Sequence, residues 1–428
     1  MLLRFRVENF RSLKGKQELS LIASKLGDTA DGLLEFPGVD VAVLPVAAVY
    51  GANASGKSSV LLAMSYMHDA VIQSHRRWSP EGGVPREPFT LDLESRLTPS
   101  TFEVDLLLDG TRYEYGFAVD SERVVGEWLV AFPSGRPQKW FTRDVNAKQE
   151  YRFSRELAGE NSAIRKLTRS NSLYLSAAAQ NNHAMLRPIY DWFARSLIVV
   201  ADRERELLSM QTVKLMEKSE FRSGVVRLLG LADVGVSGVD VSLEELPPEA
   251  LRLAQALFPD NSGFQMKLQP DFRIPRIKLQ HTTTSGHESE IAFEEESRGT
   301  QALFGLAGPI LLALSEGSTL LVDELDTSLH PLLAIEIVKM FGRRETNPRN
   351  AQLVFNTHDT NILECGLLRR DQVWFTEKNE DGETQLYPLT DFRARKEENL
   401  ERGYLQGRYG AVPFLSGAEG LIGGLIAG

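Results

Sequence analysis

Cysteine is nearly absent from this chain of 428 residues, which contains only Cys365. A single cysteine cannot form a disulfide within one chain or supply a multi-cysteine metal site. We therefore expect a reducing, cytoplasmic environment, and we interpret Cys365 as a small residue packed beside a helix. Long apolar runs are also lacking, since none reaches the roughly 20 residues that a membrane-spanning helix requires. The N-terminus alternates charged and apolar residues, which is typical of a strand and not of a signal peptide.

Positive charge is in deficit as well. Lys and Arg total 48 against 58 Asp and Glu, which gives a net charge of −10. Attraction of the whole surface to nucleic acid is therefore not expected, and DNA binding would need a local basic patch. Residues 165–169 and 273–278 are candidates, although such clusters are typical of a solvated surface. Internal repeats, low-complexity tracts and heptad runs of coiled-coil length are lacking too.

A glycine-rich loop at residues 51–58 has the sequence Gly-Ala-Asn-Ala-Ser-Gly-Lys-Ser. It fits the phosphate-binding Walker A pattern G-x-x-x-x-G-K-[ST] without a mismatch. An apolar strand pattern at residues 46–50 precedes it and a helical pattern follows, so a plain glycine-rich turn is disfavoured. Backbone N–H groups of such a loop and the helix N-terminus bind phosphates. The nucleotide-binding residues predicted here are Asn53, Ala54, Ser55, Gly56, Lys57, Ser58 and Ser59.

Three residues of this loop have individual predicted roles in binding ATP. Lys57 is expected to reach the β- and γ-phosphates, and Ser58 to be a ligand of Mg²⁺. Ser59 is expected to hold an oxygen of the α-phosphate.

Acidic residues end a second apolar strand pattern, at residues 319–322, where Asp323 and Glu324 follow. The carboxyl end of a buried strand is where α/β sheets hold their ligands. Asp323 is predicted to hold Mg²⁺, directly or through water, and Glu324 to polarise the attacking water. His358 follows the next apolar strand and is predicted to touch the γ-phosphate or the water. Each of these residues alone is typical of a surface turn, so their assignment depends on the phosphate loop.

The order of these motifs resembles ABC-type ATPases of the SMC, Rad50 and RecF kind. Residues 7–12, Val-Glu-Asn-Phe-Arg-Ser, are similar to the first strand and turn of that group, which implies that Arg11 lies near the nucleotide. Residues 297–301, Ser-Arg-Gly-Thr-Gln, resemble the ABC signature. The resemblance implies that Ser297 and Gly299 bind the γ-phosphate held by an opposite subunit. The alternative is an ordinary cap of the helix that follows.

Five segments resemble more closely the AAA15 group of ABC-like ATPases, which is related to overcoming-lysogenization-defect proteins of phage-defence loci. The segments are residues 50–59, 296–308, 323–331, 356–359 and 407–413. This resemblance implies homodimers or larger even-numbered assemblies formed through an ATP sandwich, a separate effector such as a Toprim-type nuclease, and a role against phage. Only 70 residues follow His358, too few for a nuclease domain, so the effector is expected to be another chain.

The chain departs from the wider ABC pattern at two places. His330 stands where the D-loop aspartate is usual, and residues 88–91 lack the glutamine of a glutamine loop. The second protein contact to Mg²⁺ therefore has no assigned residue.

The patterns as a whole predict an α/β fold, an ABC-type ATPase head with a mixed parallel sheet and an antiparallel β lobe. Residues 1–154 and 291–428 are expected to form the two halves of the head, and residues 155–290 a mostly helical insertion. In the lobe, Asp109-Gly110 is predicted to be a hairpin turn.

The leading functional hypothesis is an Mg²⁺-dependent ATPase that acts as a nucleotide-driven switch or sensor in an anti-phage system. One alternative is a DNA-repair or end-binding ATPase, which the acidic balance and the lack of a coiled coil disfavour. Another is an ATP-gated scaffold with little hydrolysis, which Glu324 disfavours.

Overall fold

The computed structural model describes residues 1–26, 28, 32–36, 41–200, 205–232, 235–245, 273–282, 287–364, 366–395 and 398–412. Cys365 and the last residue of the predicted segment 407–413 lie outside these ranges. Spatial contacts divide the chain into two units. The first comprises Met1–Ala201, Ala313–Asp326 and Ala334–Gly428, and the second Asp202–Leu312 and Thr327–Leu333. The domain boundaries predicted after residues 154 and 290 stay a prediction.

The described residues form strands and helices in the following order along the chain. The strands are β1 (Leu2–Glu8), β2 (Gln17–Ser20), β3 (Val46–Gly51), β4 (Ser100–Leu108), β5 (Thr111–Val119), β6 (Val124–Phe132), β7 (Gln138–Asp144), β8 (Tyr151–Phe153), β9 (Leu197–Val200), β10 (Val236–Glu245), β11 (Arg273–Thr282), β12 (Glu288–Ala292), β13 (Thr319–Val322), β14 (Gln352–Asn356), β15 (Val373–Lys378) and β16 (Thr384–Pro388). The α-helices are α1 (Lys57–Gln73), α2 (Leu93–Leu97), α3 (Asn161–Leu167), α4 (Tyr174–Gln180), α5 (Arg187–Asp191), α6 (Arg205–Leu215), α7 (Ser219–Leu231), α8 (Arg298–Glu316), α9 (Pro331–Gly342), α10 (Asn361–Glu364) and α11 (Leu400–Leu405).

A six-stranded sheet in the first unit positions the candidate site. Its strand order is β16-β15-β3-β14-β13-β9, and every neighbouring pair is parallel except β15 and β16. Every residue of β3, β13 and β14 is buried, as expected for parallel strands covered on both faces. The phosphate loop follows β3, the acidic pair follows β13, and His358 follows β14. Because these three strands are parallel neighbours, their carboxyl ends bring the motifs to one edge of the sheet.

The second sheet of this unit is antiparallel and has seven strands in the order β2-β1-β4-β5-β6-β7-β8. Its presence confirms the predicted β lobe, and β1 joins the lobe by pairing with both β2 and β4. Asp109 and Gly110 have φ values of 48° and 74° at the turn between β4 and β5. Positive φ at both positions is what a two-residue hairpin turn of this kind requires. The predicted turn is therefore confirmed, and with both sheets so is the α/β class.

The second unit contains the antiparallel sheet β10-β11-β12, helices α6 and α7, and most of α8. Pro309 lies inside α8 and has no N–H to donate to the carbonyl of Gly305. The buried hydroxyl of Thr212 donates to that carbonyl at 3.0 Å and accepts from the N–H of Gly308 at 3.1 Å. Thr212 thus supplies the missing bond and ties α6 to α8, which lets the helix continue past the proline.

None of the described helices combines the length and the apolar composition needed to cross a membrane.

Candidate nucleotide-binding site

A cavity of about 600 Å³ lies at the carboxyl edge of the six-stranded sheet. Its volume is within the range of small-molecule sites. The residues that line it are Arg11, Ser12, Asn53, Ala54, Ser55, Gly56, Lys57, Ser58, Ser59, Glu324, His358 and Lys378. The structure therefore brings together the whole predicted phosphate loop with Arg11, Glu324 and His358, which come from distant parts of the sequence.

The glycine that precedes α1 is required by its conformation and by its neighbour. Gly56 has a φ of 106°, and Ala54 in the same loop has a φ of 61°. A Cβ atom on Gly56 would overlap the hydroxyl of Thr384 and lie 2.7 Å from its methyl carbon. The phosphate loop thus packs directly against the first residue of β16, and a side chain at position 56 would displace it.

Lys57 is held inside the phosphate loop. Its Nζ atom donates hydrogen bonds to the carbonyl oxygens of Gly51 at 2.9 Å and Ala52 at 3.0 Å. Burial lowers the pKa of Lys57 to about 8, and the nearby carboxylates, Glu324 foremost, oppose this shift. The ammonium group therefore stays mostly protonated at neutral pH, as binding of phosphates requires.

Hydroxyl groups connect the phosphate loop to three other parts of the chain. The Ser12 hydroxyl lies 3.0 Å from that of Ser59 and 2.8 Å from that of Thr384. Thr384 also donates to the carbonyl of Ser55 at 2.8 Å, and the Ser55 hydroxyl lies 2.6 Å from that of Thr376. Sequence reasoning missed Ser12, Thr376 and Thr384, because isolated hydroxyl residues in strands and turns carry no local motif.

Arg11 lies in the cavity wall, in a left-handed backbone conformation with a φ of 50°. Its backbone N–H donates to the carbonyl of Glu87 at 2.7 Å, and its Nε atom to the carboxylate of Glu87, also at 2.7 Å. The Glu87 side chain is 60% exposed. An ion pair this exposed is weak, so Arg11 can leave it for a more negative ligand at little cost. Its nucleotide contact stays a prediction.

The acidic pair after β13 is held by the last residue of β14. Asn356 donates from Nδ2 to a carboxylate oxygen of Asp323 at 2.5 Å, and its Oδ1 accepts from the N–H of Glu324 at 2.6 Å. Glu324 has a φ of 56° and lines the cavity. The sequence gave no signal for Asn356, since its role depends on the pairing of two strands.

His358 lies beside the same acids. Its backbone N–H donates to both carboxylate oxygens of Asp326, each at 3.3 Å. Burial and then the charge of Lys57 lower the pKa of His358, while Asp326 and Glu324 oppose the shift. The imidazole is therefore neutral at pH 7 and able to accept a hydrogen bond as well as to donate one.

The predicted signature lies in the second unit, at the start of α8. The Ser297 hydroxyl accepts from the N–H of Thr300 at 3.1 Å, which is the geometry of a helix cap. Ser297 is exposed, and a Cβ atom on Gly299 would lie 3.1 Å from the carbonyl oxygen of Ser328. The cap is therefore present, and Ser297 remains available at the surface of this unit for a further partner.

The two basic clusters are engaged within the fold. Arg169 donates to the carbonyls of Ser74, His75 and Trp78. In the other cluster, Arg276 pairs with Glu244 at 2.9 Å and Lys278 with Glu290 at 3.0 Å. These contacts agree with a solvated or structural surface and do not favour a DNA-binding patch.

A family model described as "AAA domain, putative AbiEii toxin, Type IV TA system" matches residues 46–364. The chain belongs to this family. The matched range contains the phosphate loop, the predicted signature, the acidic pair and His358. The predicted relationship to ABC-type, SMC-like ATPases is confirmed at this level, whereas the AAA15 grouping and the link to overcoming-lysogenization-defect proteins stay predictions.

Two solved structures similar to this AAA-family chain are SMC heads. One is the Smc head bound to the C-terminal winged-helix domain of ScpA, with 15% identity, a TM-score of 0.39, and coverage of 90% of this chain and 97% of that one. The other is the Smc head with an extended coiled coil bound to the C-terminal domain of ScpA from Pyrococcus furiosus, with 12% identity, a TM-score of 0.36, and coverage of 90% and 96%. TM-scores in this range do not establish a shared fold. No curated protein matches the sequence.

Proposed function

We propose that this protein is an Mg²⁺-dependent ATPase that works as a nucleotide-driven switch. The observation that supports this most is the meeting of a complete phosphate loop, Glu324 and His358 in one cavity. Residues Asn53 to Ser59 would bind the phosphates through backbone N–H groups and the N-terminus of α1. Arg11 and Lys57 would add positive charge, and so would Lys378, which lines the cavity but carries no sequence motif.

The donor set next to the loop suits Mg²⁺. This ion prefers oxygen ligands and is usually held by one or two side chains together with phosphate oxygens and water. Ser58 and Asp323, a hydroxyl and a carboxylate, would hold it here. When bound, Mg²⁺ neutralises negative charge on the β- and γ-phosphates of ATP.

The residues around the cavity have separate roles in the proposed hydrolysis. Glu324 would take a proton from water as the water oxygen attacks the γ-phosphorus and the bond to the β,γ-bridging oxygen breaks. The products are ADP and inorganic phosphate. Lys57 and the loop N–H groups would stabilise charge on the transferring phosphoryl group. His358, neutral at pH 7, would orient the water or the γ-phosphate by a hydrogen bond.

The switch would assemble through ATP, with Ser297 and Gly299 of one protomer facing the nucleotide of another. A mixing experiment tests this arrangement. Lys57→Ala and Ser297→Arg should each lose turnover, and an equimolar mixture should regain part of it. In a mixed dimer one site combines the intact loop of one chain with the intact signature of the other. Phosphate release before and after mixing measures the effect.

The control for this experiment is Ser219→Arg, which adds the same charge at an exposed serine of the second unit and should leave turnover unchanged. A mixture as inactive as its two components, with mixed dimers present by native mass spectrometry, would rule out a signature that acts between subunits.

The biological role that we propose is defence against phage, with a separate effector such as a Toprim-type nuclease. Support comes from the family description, which names a toxin of a toxin–antitoxin system, and from the predicted resemblance of five sequence segments. In the source organism, phage should form fewer plaques on cells with the wild-type gene than on cells with the Lys57→Ala or Glu324→Gln allele. Equal plaque numbers on all three strains, at equal protein levels, would contradict the defence role.

A further inference from the structure

Asn356 joins three consecutive residues of the acidic segment to the neighbouring strand. Its side chain contacts Asp323 and Glu324 as described above, and its backbone carbonyl accepts from the N–H of Leu325 at 3.1 Å. The residue is fully buried, with an exposed fraction of 0%. Both ends of its amide group are thus occupied by the two acids that the proposed chemistry uses.

The strand register explains why an asparagine serves here. Val322 of β13 lies opposite Phe355 of β14, so the next residue on each strand, Asp323 and Asn356, meet at the sheet edge. Asp323 needs a donor, while the N–H of Glu324 needs an acceptor. A side-chain amide offers one of each within a short side chain. An aspartate would offer acceptors only, and an aliphatic residue would leave both groups without this partner.

The conformation of Glu324 depends on the same contact. Its φ of 56° is a left-handed conformation, which is unfavourable for a residue with a side chain. A hydrogen bond from its N–H to Asn356 offsets part of this cost and fixes the direction in which the Glu324 side chain leaves the backbone. That side chain lines the cavity.

We propose that Asn356 is a positioning residue that orients Asp323 for the metal ion and Glu324 for the attacking water. This inference rests on the proposed Mg²⁺-dependent ATPase. Residues that hydrogen-bond to a metal ligand typically change metal affinity or activity by about 10- to 100-fold when they are replaced. Asn356 should therefore affect the metal dependence of nucleotide binding and not the phosphate loop itself.

The test uses Asn356→Ala together with two measurements of binding. Titration of MnCl₂ into the protein with a non-hydrolysable ATP analogue, followed by electron paramagnetic resonance, gives the metal affinity. Binding of the same analogue in EDTA gives the affinity without metal. We expect the half-saturating Mn²⁺ concentration to rise by about 10-fold or more, with the affinity in EDTA unchanged. Asn356→Ser, which cannot reach both acids, should shift it in the same direction with less disturbance of the fold.

Asn347→Ala is the matched control. Asn347 is also buried and makes three side-chain hydrogen bonds, to the carbonyls of Phe341 and Ala351 and from the N–H of Ala351, but it precedes the opposite end of β14. This variant should lower the melting temperature and keep the wild-type Mn²⁺ affinity.

Two outcomes would overturn the inference, and they are distinguishable. If the wild type binds Mn²⁺ with the nucleotide and the Asn356 variants bind it equally well, only the positioning role fails. If the wild type shows neither metal-dependent nucleotide binding nor turnover, the proposed ATPase fails and the inference fails with it.

Discussion

Replacing Glu324 with glutamine should lower ATP turnover by about 100-fold or more, since general-base catalysis contributes about 10²- to 10⁴-fold. Glutamine has nearly the same size and keeps the backbone bond to Asn356, but it cannot take the proton of the attacking water. ATP binding and ATP-driven assembly should persist, because the phosphate loop and Ser297 are unchanged. Phosphate release and light scattering, measured side by side for both proteins, check both expectations.

Glu336→Gln is the matched control for this change. Glu336 is exposed on α9 and pairs with Lys339 at 2.6 Å, so its replacement should leave turnover and assembly as they are. Undiminished turnover in the Glu324 variant would show that another group acts as the base. A wild type that binds ATP but does not hydrolyse it would instead indicate an ATP-gated scaffold.

Replacing Gly56 with alanine should weaken ATP binding by about 100-fold or more. The new Cβ atom would overlap the hydroxyl of Thr384 and lie 2.8 Å from its Cβ atom, at a φ of 106° that alanine disfavours. The loop must therefore shift and misalign its N–H groups. Two misaligned hydrogen bonds to a charged group, at about 1.5 to 3 kcal/mol each, account for that loss of affinity. Titration calorimetry with ATP measures it.

Gly110→Ala separates local backbone strain from the clash. Gly110 also has a positive φ, 74°, but a Cβ atom there would meet nothing within 4 Å. This variant should lose about 1 kcal/mol of stability, as expected for a side chain in a left-handed conformation, and bind ATP normally. Wild-type ATP affinity in the Gly56 variant would contradict the close packing of Thr384 on the loop.

The sequence by itself was sufficient for the parts of the site whose chemistry is local. A phosphate loop needs glycines, a lysine and a hydroxyl at fixed spacing, because consecutive N–H groups must turn toward one ligand. The acids and His358 were found for a similar reason, since each follows a short buried strand. The hairpin at Asp109 and Gly110 was predictable too, because two adjacent residues with positive φ select for such types.

Only the tertiary structure decided how these parts are held. Asn356 reaches Glu324 across 32 positions of sequence, and Thr384 reaches Ser12 across 372. Each contact depends on the register or order of strands in a sheet, which single residues do not encode. The same holds for Arg169, whose charge suggested a surface patch and whose guanidinium instead binds buried backbone carbonyls. Local motifs specified the reacting groups of this protein, and long-range strand pairing determined their orientation.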